Sequence, residues 1–224
     1  MINIEVMNRT EALDFASAYH GKPVGLISIS TPGQNYTRYL STTPSVQILH
    51  LSFHDVDEPS PYYIHFTTHH AARIADFIVR LRLSGVDHFI VHCDAGQSRS
   101  AGITQAICES LGMGLDSITS NRALTPNMLC YRKTLYAFQS IYRAIGIYVI
   151  RKTTSLTLEK IGSFCNLTRE RVRQILKEFP HHNRALADYI DRLYEQGAPM
   201  HDILCDIDRV FPGFQNIVSI QQLA

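Results

Sequence analysis

The sequence predicts an α/β fold, a mostly parallel central sheet flanked by helices, followed by a small all-α module. Two observations point there. Over the first 150 residues, short apolar, β-branched runs alternate with segments of helical period, the pattern of strands crossed over by helices. Beyond about residue 150 the strand signals stop and only helical period remains. A length of 224 residues suits one domain of ordinary size and a smaller one.

In order, INIEV (2–6) reads as a short strand, and Thr10 as the cap of a helix reaching about Tyr19. VGLISIS (24–30) and VQILHLSF (46–53) are bounded by Gly, Pro and Ser and read as buried strands. The stretch TPGQNYTRYLSTTPS between them is a loop, as is HDVDEPSPYY after them. Residues 68–84 place Ala71, Ile74, Ala75, Ile78, Val79 and Leu81 at helical spacing, with Gly85 as the stop. HFIVHC (88–93) is a strand, SAGITQAICESLG (100–112) a helix, and residues 127–145 a further long helix.

The border between the two parts, 1–148 and 149–224, rests on the change of pattern and of charge. Residues 1–150 hold 11 Lys and Arg against 11 Asp and Glu, residues 151–180 hold 7 against 3, and residues 181–224 hold 3 against 6. A neutral body with one short basic segment suggests a local anionic contact, not the coating of a polyanion. No apolar run is long enough for a membrane span, and the first residues lack the basic and apolar regions of a signal peptide. The five cysteines are odd in number and fit no zinc spacing, so a reducing, cytoplasmic setting is expected.

The most informative stretch is VHCDAGQSRSAG, Val91 to Gly102. It places Cys93 at the end of a strand, under a loop that opens a helix. Backbone N–H groups and the helix N-terminus favour a thiolate there, and the same donors suit a phosphate. Gly96 permits backbone geometry closed to other residues. Arg99 is placed to fork two phosphate oxygens, and Ser98 and Ser100 supply hydroxyls, one of which can support Cys93 as a leaving group. The alternative is a structural cysteine beside a surface arginine in an ordinary turn.

The run from His92 to Ser100 resembles the HCx₅R signature of cysteine-dependent protein phosphatases, and its AGxSRS form resembles the dual-specificity branch. The resemblance covers residues 24–145. It implies a small α/β domain in which Cys93 attacks phosphorus, the loop Asp94, Ala95, Gly96, Gln97, Ser98, Arg99 and Ser100 holds the phosphate, and neither metal nor cofactor takes part. It also implies an upstream aspartate as general acid. Asp55, following VQILHLSF after one His, stands in the family's usual place, and Asp57 is the alternative. The 38 residues from Asp55 to Cys93 are somewhat long for the branch, and DEPSPYYIHF reads as an insertion.

The variable loop positions, Asp94, Ala95 and Gln97, carry no lysine, and Asp94 would repel extra negative charge. That argues for a phosphomonoester on a protein side chain, phosphotyrosine with phosphoserine and phosphothreonine left open. An RNA 5′-phosphatase and a DNA-binding regulator with a phospho-sensing domain are the alternatives. QNYTRY (34–39) is an aromatic, basic loop that either lines the pocket or is a solvated connection.

TLEKIGSFCNLTRERVRQILKEF (157–179) reads as two short helices around a turn at 165–167, with Leu158, Ile161, Phe164, Leu167, Val172, Ile175 and Leu176 as its apolar set. Asn166 suits the left-handed turn position and Thr168 the cap. The second helix offers Arg169, Glu170, Arg171, Arg173 and Gln174 near its start. LTRERVRQI resembles the promoter-reading region of bacterial sigma factors, which implies a helix-turn-helix with duplex DNA as partner. The alternative is a helical hairpin that packs or docks with solvated arginines. Two further helices, 184–196 and 200–210, complete the expected chain.

Overall fold

The computed structural model describes residues 2–34 and 43–214. The chain divides into two compact units, Met1–Phe138 and Gln139–Ala224.

In the first unit the elements run β1 (Asn3–Met7), α1 (Arg9–Ala18), β2 (Val24–Ser30), β3 (Val46–Ser52), α2 (Thr68–Leu83), β4 (His88–His92), α3 (Arg99–Ser110), β5 (Ile118–Thr119) and the start of α4 (Met128–Thr153). The sheet is parallel throughout, in the order β3-β2-β4-β1-β5. The chain lays down β1 and β2 apart and returns to insert β4 between them. Such a reversal of strand order opens a crevice at the C-terminal ends of the strands, the usual place for a ligand in an open α/β sheet.

Helices cover both faces. Ala12 and Ala16 of α1 pack with Val24, Leu26 and Ile90 on one face. Leu81 of α2 lies over Gly25, next to Phe89, on the other, because side chains alternate along a strand. β2, inside the sheet, is buried along nearly its whole length. β3 is less buried than expected because it is the outer strand, with one neighbour and part of its length open.

Local chemistry changes four expected details. The cap of α1 is Asn8, not Thr10. Asn8 accepts from the Glu11 N–H at 2.9 Å while Glu11 Oε2 accepts from the Asn8 N–H at 2.9 Å, a reciprocal pair that outcompetes a single hydroxyl. α4 runs to Thr153 instead of ending near 145, because Ile147, Tyr148, Val149 and Ile150 keep an apolar face going. The two-residue β5 pairs with Ile4 and Glu5 and is too short to show a period in the sequence. The last detail, in the apolar set of the second unit, is Phe164, which is exposed.

In that unit α5 (Leu158–Cys165), α6 (Arg169–His182), α7 (Arg184–Glu195) and α8 (Met200–Val210) follow the second half of α4. Ile161 and Val172 are fully buried, whereas Phe164 sits three residues from Ile161 on the outward side of a short helix. Asn166 takes the left-handed conformation at φ 54°. Thr168 caps α6 by accepting from the Arg171 N–H at 3.2 Å. Tyr142 packs against Phe211 and Phe214, and Tyr148 against Phe179 with its hydroxyl donating to Asp191 at 3.0 Å. Among the described residues, no helix is long and apolar enough to cross a membrane.

Candidate active site

The ends of four strands converge on one place. β4 ends at His92, whose Nε2 lies 2.8 Å from Ser28 Oγ on the neighbouring strand. Burial pulls the His92 pKa down to about 4, so the ring is neutral at physiological pH. It is a fixed polar floor beneath the loop that starts at Cys93.

The Cys93 Sγ lies 3.1 Å from Ser100 Oγ. Burial opposes ionisation of this thiol. The Ser100 hydroxyl, the backbone N–H groups of Ser100 and Gln97 and the Arg99 charge outweigh it and hold the Cys93 pKa below the ordinary thiol value. The contrast with Cys108 is chemical: there burial dominates and pushes the pKa up to about 11. Gly96 makes the turn at φ 69°. A Cβ at Gly96 would fall 2.6 Å from Met7 O and 2.8 Å from Asn8 N, so the loop passes flush against the end of β1. Ala95 and Gln97 face outward.

Arg99 opens α3 and is only 4% exposed. Its Nη1 donates to Phe53 O at 2.8 Å and to Thr31 Oγ1 at 3.2 Å, and its Nη2 donates to Asp94 Oδ2 at 2.6 Å. The buried Nε has no hydrogen-bond partner among the described residues. Asp94 does not stand as a free negative charge at the site, as its place in the sequence suggested. Its carboxylate accepts from Thr31 Oγ1 at 2.8 Å and from Arg9 Nη1 at 3.2 Å as well as from Arg99. Burial would raise its pKa, but Thr31 and the two arginines hold it below the usual carboxylate range. Paired with two cations, Asp94 repels a second phosphate far less than an isolated carboxylate would.

Asp55 and Asp57 have separate places. Asp55 Oδ1 accepts from Ser98 Oγ at 2.8 Å and from Asn127 Nδ2 at 2.9 Å, and Asp55 Oδ2 stands 3.9 Å from Arg99 Nε. Asp57 instead accepts the Met128 N–H at 3.2 Å, at the head of α4. The Ser98 hydroxyl donates to Asp55 and makes no side-chain cap on α3.

Three participants were missed in the sequence: Thr31, Arg9 and Asn127. Asn127 is buried; its Nδ2 also reaches Val56 O at 3.1 Å, its Oδ1 accepts the Cys130 N–H at 2.9 Å, and its own N–H donates to Ser98 O at 3.1 Å. It thus joins the Asp55 loop, the Cys93 loop and α4. An Asn after Pro126 at a helix start is a capping signal that could have singled it out.

Of the QNYTRY loop only Gln34 is described; residues 35–42 lie outside the described residues. Arg169, Glu170, Arg171, Arg173 and Gln174 lie on α6 of the second unit, all exposed. Arg173 pairs with Glu170 at 2.7 Å and Arg171 donates to Gln174 at 2.7 Å. Gly162 of α5 is in close contact with the turn, since a Cβ there would fall 2.5 Å from Leu167 O. Among the described residues, no group of three or more His, Cys, Asp or Glu side chains is placed to hold a metal ion. In comparisons with known proteins, the chain matches no family model, no curated sequence and no solved structure.

Proposed function

We propose that the chain is a cysteine-dependent phosphatase that hydrolyses phosphomonoesters on protein side chains through a phosphocysteine intermediate. The observation that carries this is the buried Arg99, whose Nε has no hydrogen bond among the described residues and only the Asp55 carboxylate at 3.9 Å, beside a thiol whose surroundings favour the thiolate. A buried guanidinium N–H normally finds a hydrogen-bond acceptor, so one without such a bond supports an anion-binding role.

The reaction has two steps. The Cys93 thiolate attacks phosphorus while the Asp55 carboxyl gives its proton to the departing oxygen, so the P–O bond breaks as the P–S bond forms. Water then attacks the phosphocysteine, losing its proton to the Asp55 carboxylate. The P–S bond breaks and Cys93 leaves as a thiolate, with the Ser100 hydroxyl donating to the sulfur. Arg99 and the loop N–H groups stabilise the charge on the equatorial oxygens in both steps. Asp55, not Asp57, is assigned the acid role, because Asp57 is engaged at the head of α4.

The test is phosphate release under reducing conditions from phosphotyrosine, phosphoserine and phosphothreonine peptides, with wild type and Cys93→Ser. Turnover of the phosphotyrosine peptide that vanishes in the variant is expected, and the other two peptides set the breadth of the activity. No turnover on any peptide would remove the reading in favour of an RNA 5′-phosphatase or a phospho-sensing regulator.

A second reading concerns α5 and α6, and it is a duplex DNA contact. It is supported by the close approach at Gly162, the left-handed Asn166 and the exposed arginines at the start of α6. The mutual pairing of Arg173 with Glu170 leaves Arg169 and Arg171 as the phosphate-contacting candidates. Duplex binding that weakens steeply with salt and is lost in Arg169→Ala/Arg171→Ala supports it. Binding that is absent in the wild type leaves these helices as a packing or docking element.

A further inference from the structure

We propose that Asp94 is a positioning residue which, with Thr31, holds Arg99 by one edge so that the opposite edge receives the phosphate. The inference rests on the phosphatase reading and names what orients its arginine.

A guanidinium has five N–H bonds in one plane. Three are engaged here: both on Nη1, by Phe53 O and Thr31 Oγ1, and one on Nη2, by Asp94 Oδ2. Thr31 Oγ1 and Asp94 Oδ2 are themselves 2.8 Å apart, so they sit side by side along the edge between Nη1 and Nη2. The directions are consistent: the Thr31 hydroxyl donates to Asp94 and accepts from Arg99. What remains is the Nε–H and the Nη2–H beside it. These two bonds are parallel, which is the fork that grips two oxygens of a phosphate.

Asp94 is held from behind as well. Its other oxygen, Oδ1, accepts from Arg9 Nη1 at 3.2 Å, so both of its oxygens are engaged. Arg9 is the first residue of α1, and Thr31 follows β2, so the clamp is anchored on two strand ends besides the Cys93 loop.

The clamp matters because a second carboxylate stands within reach. Asp55 Oδ2 lies 3.9 Å from Arg99 Nε, too far for a hydrogen bond, on the edge that carries no hydrogen bond among the described residues. Without Asp94, Arg99 loses its hold at Nη2 and closes onto Asp55. That single movement would occupy the phosphate fork and tie up the proposed acid in a hydrogen-bonded ion pair. Asp94 therefore serves two functions by one contact: it presents the fork, and it keeps the arginine off the carboxyl that must carry a proton.

The consequence has a signature that a merely structural ion pair would not produce. The full-length chain is compared as wild type, Asp94→Asn and Thr31→Val. Tungstate affinity is measured by calorimetry, together with the ratio of kcat for 4-nitrophenyl phosphate to kcat for phenyl phosphate. The poorer leaving group, phenol, needs the acid more. In Asp94→Asn tungstate affinity is expected to fall about tenfold, the scale of one charge-assisted hydrogen bond, and the ratio to rise by about the same factor. Thr31→Val, which keeps the carboxylate but removes its hydroxyl partner, is expected to shift both in the same direction by about threefold.

A folded Asp94→Asn chain with affinity and ratio both unchanged from an active wild type overturns the assignment of Asp94 and leaves the phosphatase standing. Should Asp94→Asn not fold, unchanged values in Thr31→Val have the same force. A wild type that neither binds tungstate nor turns over any aryl phosphate removes the phosphatase reading, and this inference with it.

Discussion

Ser98 Oγ donates to Asp55 Oδ1 at 2.8 Å, tying the cysteine loop to the loop that follows β3. Asn127 holds the same carboxylate oxygen from α4, at 2.9 Å. The proposed acid is thus tethered from two directions, one of them the cysteine loop, before any substrate arrives. Asp55→Asn is expected to lower kcat on an alkyl phosphate by about 10²-fold or more, and on 4-nitrophenyl phosphate much less. Asp57→Ala is expected to cost stability of about 1 kcal/mol through loss of the acceptor for the Met128 N–H at the head of α4. The two are separated by measuring leaving-group dependence and chemical denaturation on both variants.

The acidity of Cys93 is read by alkylation. Since the loop N–H groups, Ser100 and Arg99 hold its pKa below the ordinary thiol value, the iodoacetamide rate is expected to rise at lower pH than for an unperturbed thiol. In Ser100→Ala the midpoint is expected to move up, because a donor to the thiolate is lost. Mass spectrometry of the labelled peptide distinguishes Cys93 from the four other thiols.

His92 couples stability to pH. Its folded pKa, about 4, lies below the unfolded value of 6.5 because burial disfavours the cation. A depressed pKa gives stability that is complete above the unfolded value and is lost as pH falls toward the folded one. The loss between pH 7 and pH 4 is expected to be about 3 kcal/mol from this group. Urea denaturation across that range, compared with His92→Asn, should show a shallower pH slope in the variant.

Gly96→Ala meets two obstacles, a positive φ and a Cβ 2.6 Å from Met7 O. A destabilisation of about 1–3 kcal/mol is expected, with loss of tungstate binding because the loop must lift away from β1. Thermal denaturation with and without tungstate measures both.

In the second unit, Gly162→Ala is expected to loosen the α5–α6 pair, since the new methyl would fall 2.5 Å from the backbone oxygen of Leu167. Asn166→Gly is expected to be neutral or slightly stabilising, as glycine takes the left-handed conformation without strain. Denaturation midpoints of the two variants should therefore move in different directions or by clearly different amounts.

The parts of the site that lie within one short stretch were legible in the sequence. The run into Cys93, the glycine turn and the helical period after Arg99 all fall between residues 88 and 112, where local patterns operate. Asp55 was legible from its place after a strand. The partners of Asp94 and Arg99 were not, because they come from elsewhere: Arg9 is 85 residues from Asp94, Thr31 is 63, and Phe53 is 46 from Arg99. Nothing in a lone Thr after a strand distinguishes an arginine clamp from a turn. The charge of Asp94 was read without its partners, so its sign was right and its effect on a second phosphate was overstated. Phe164 failed for another reason: on an eight-residue helix, an apolar period does not settle which of its members face inward.

The insertion of β4 between β1 and β2 also bears on how the chain is made. During synthesis β1 and β2 emerge first, but in the finished sheet they share no hydrogen bonds; each pairs with β4 instead. β1's other neighbour, β5, comes later still. Until residues 88–92 have left the ribosome, β1 therefore has no partner, while β2 can pair only with β3. A nascent chain stalled before His88 presents β1 unpaired on both sides and one open edge of β2, segments rich in isoleucine and valine that can template aggregation. The same strand that delivers Cys93 is thus the one that joins β1 to β2 and β3, so the cysteine and the inner sheet arrive together.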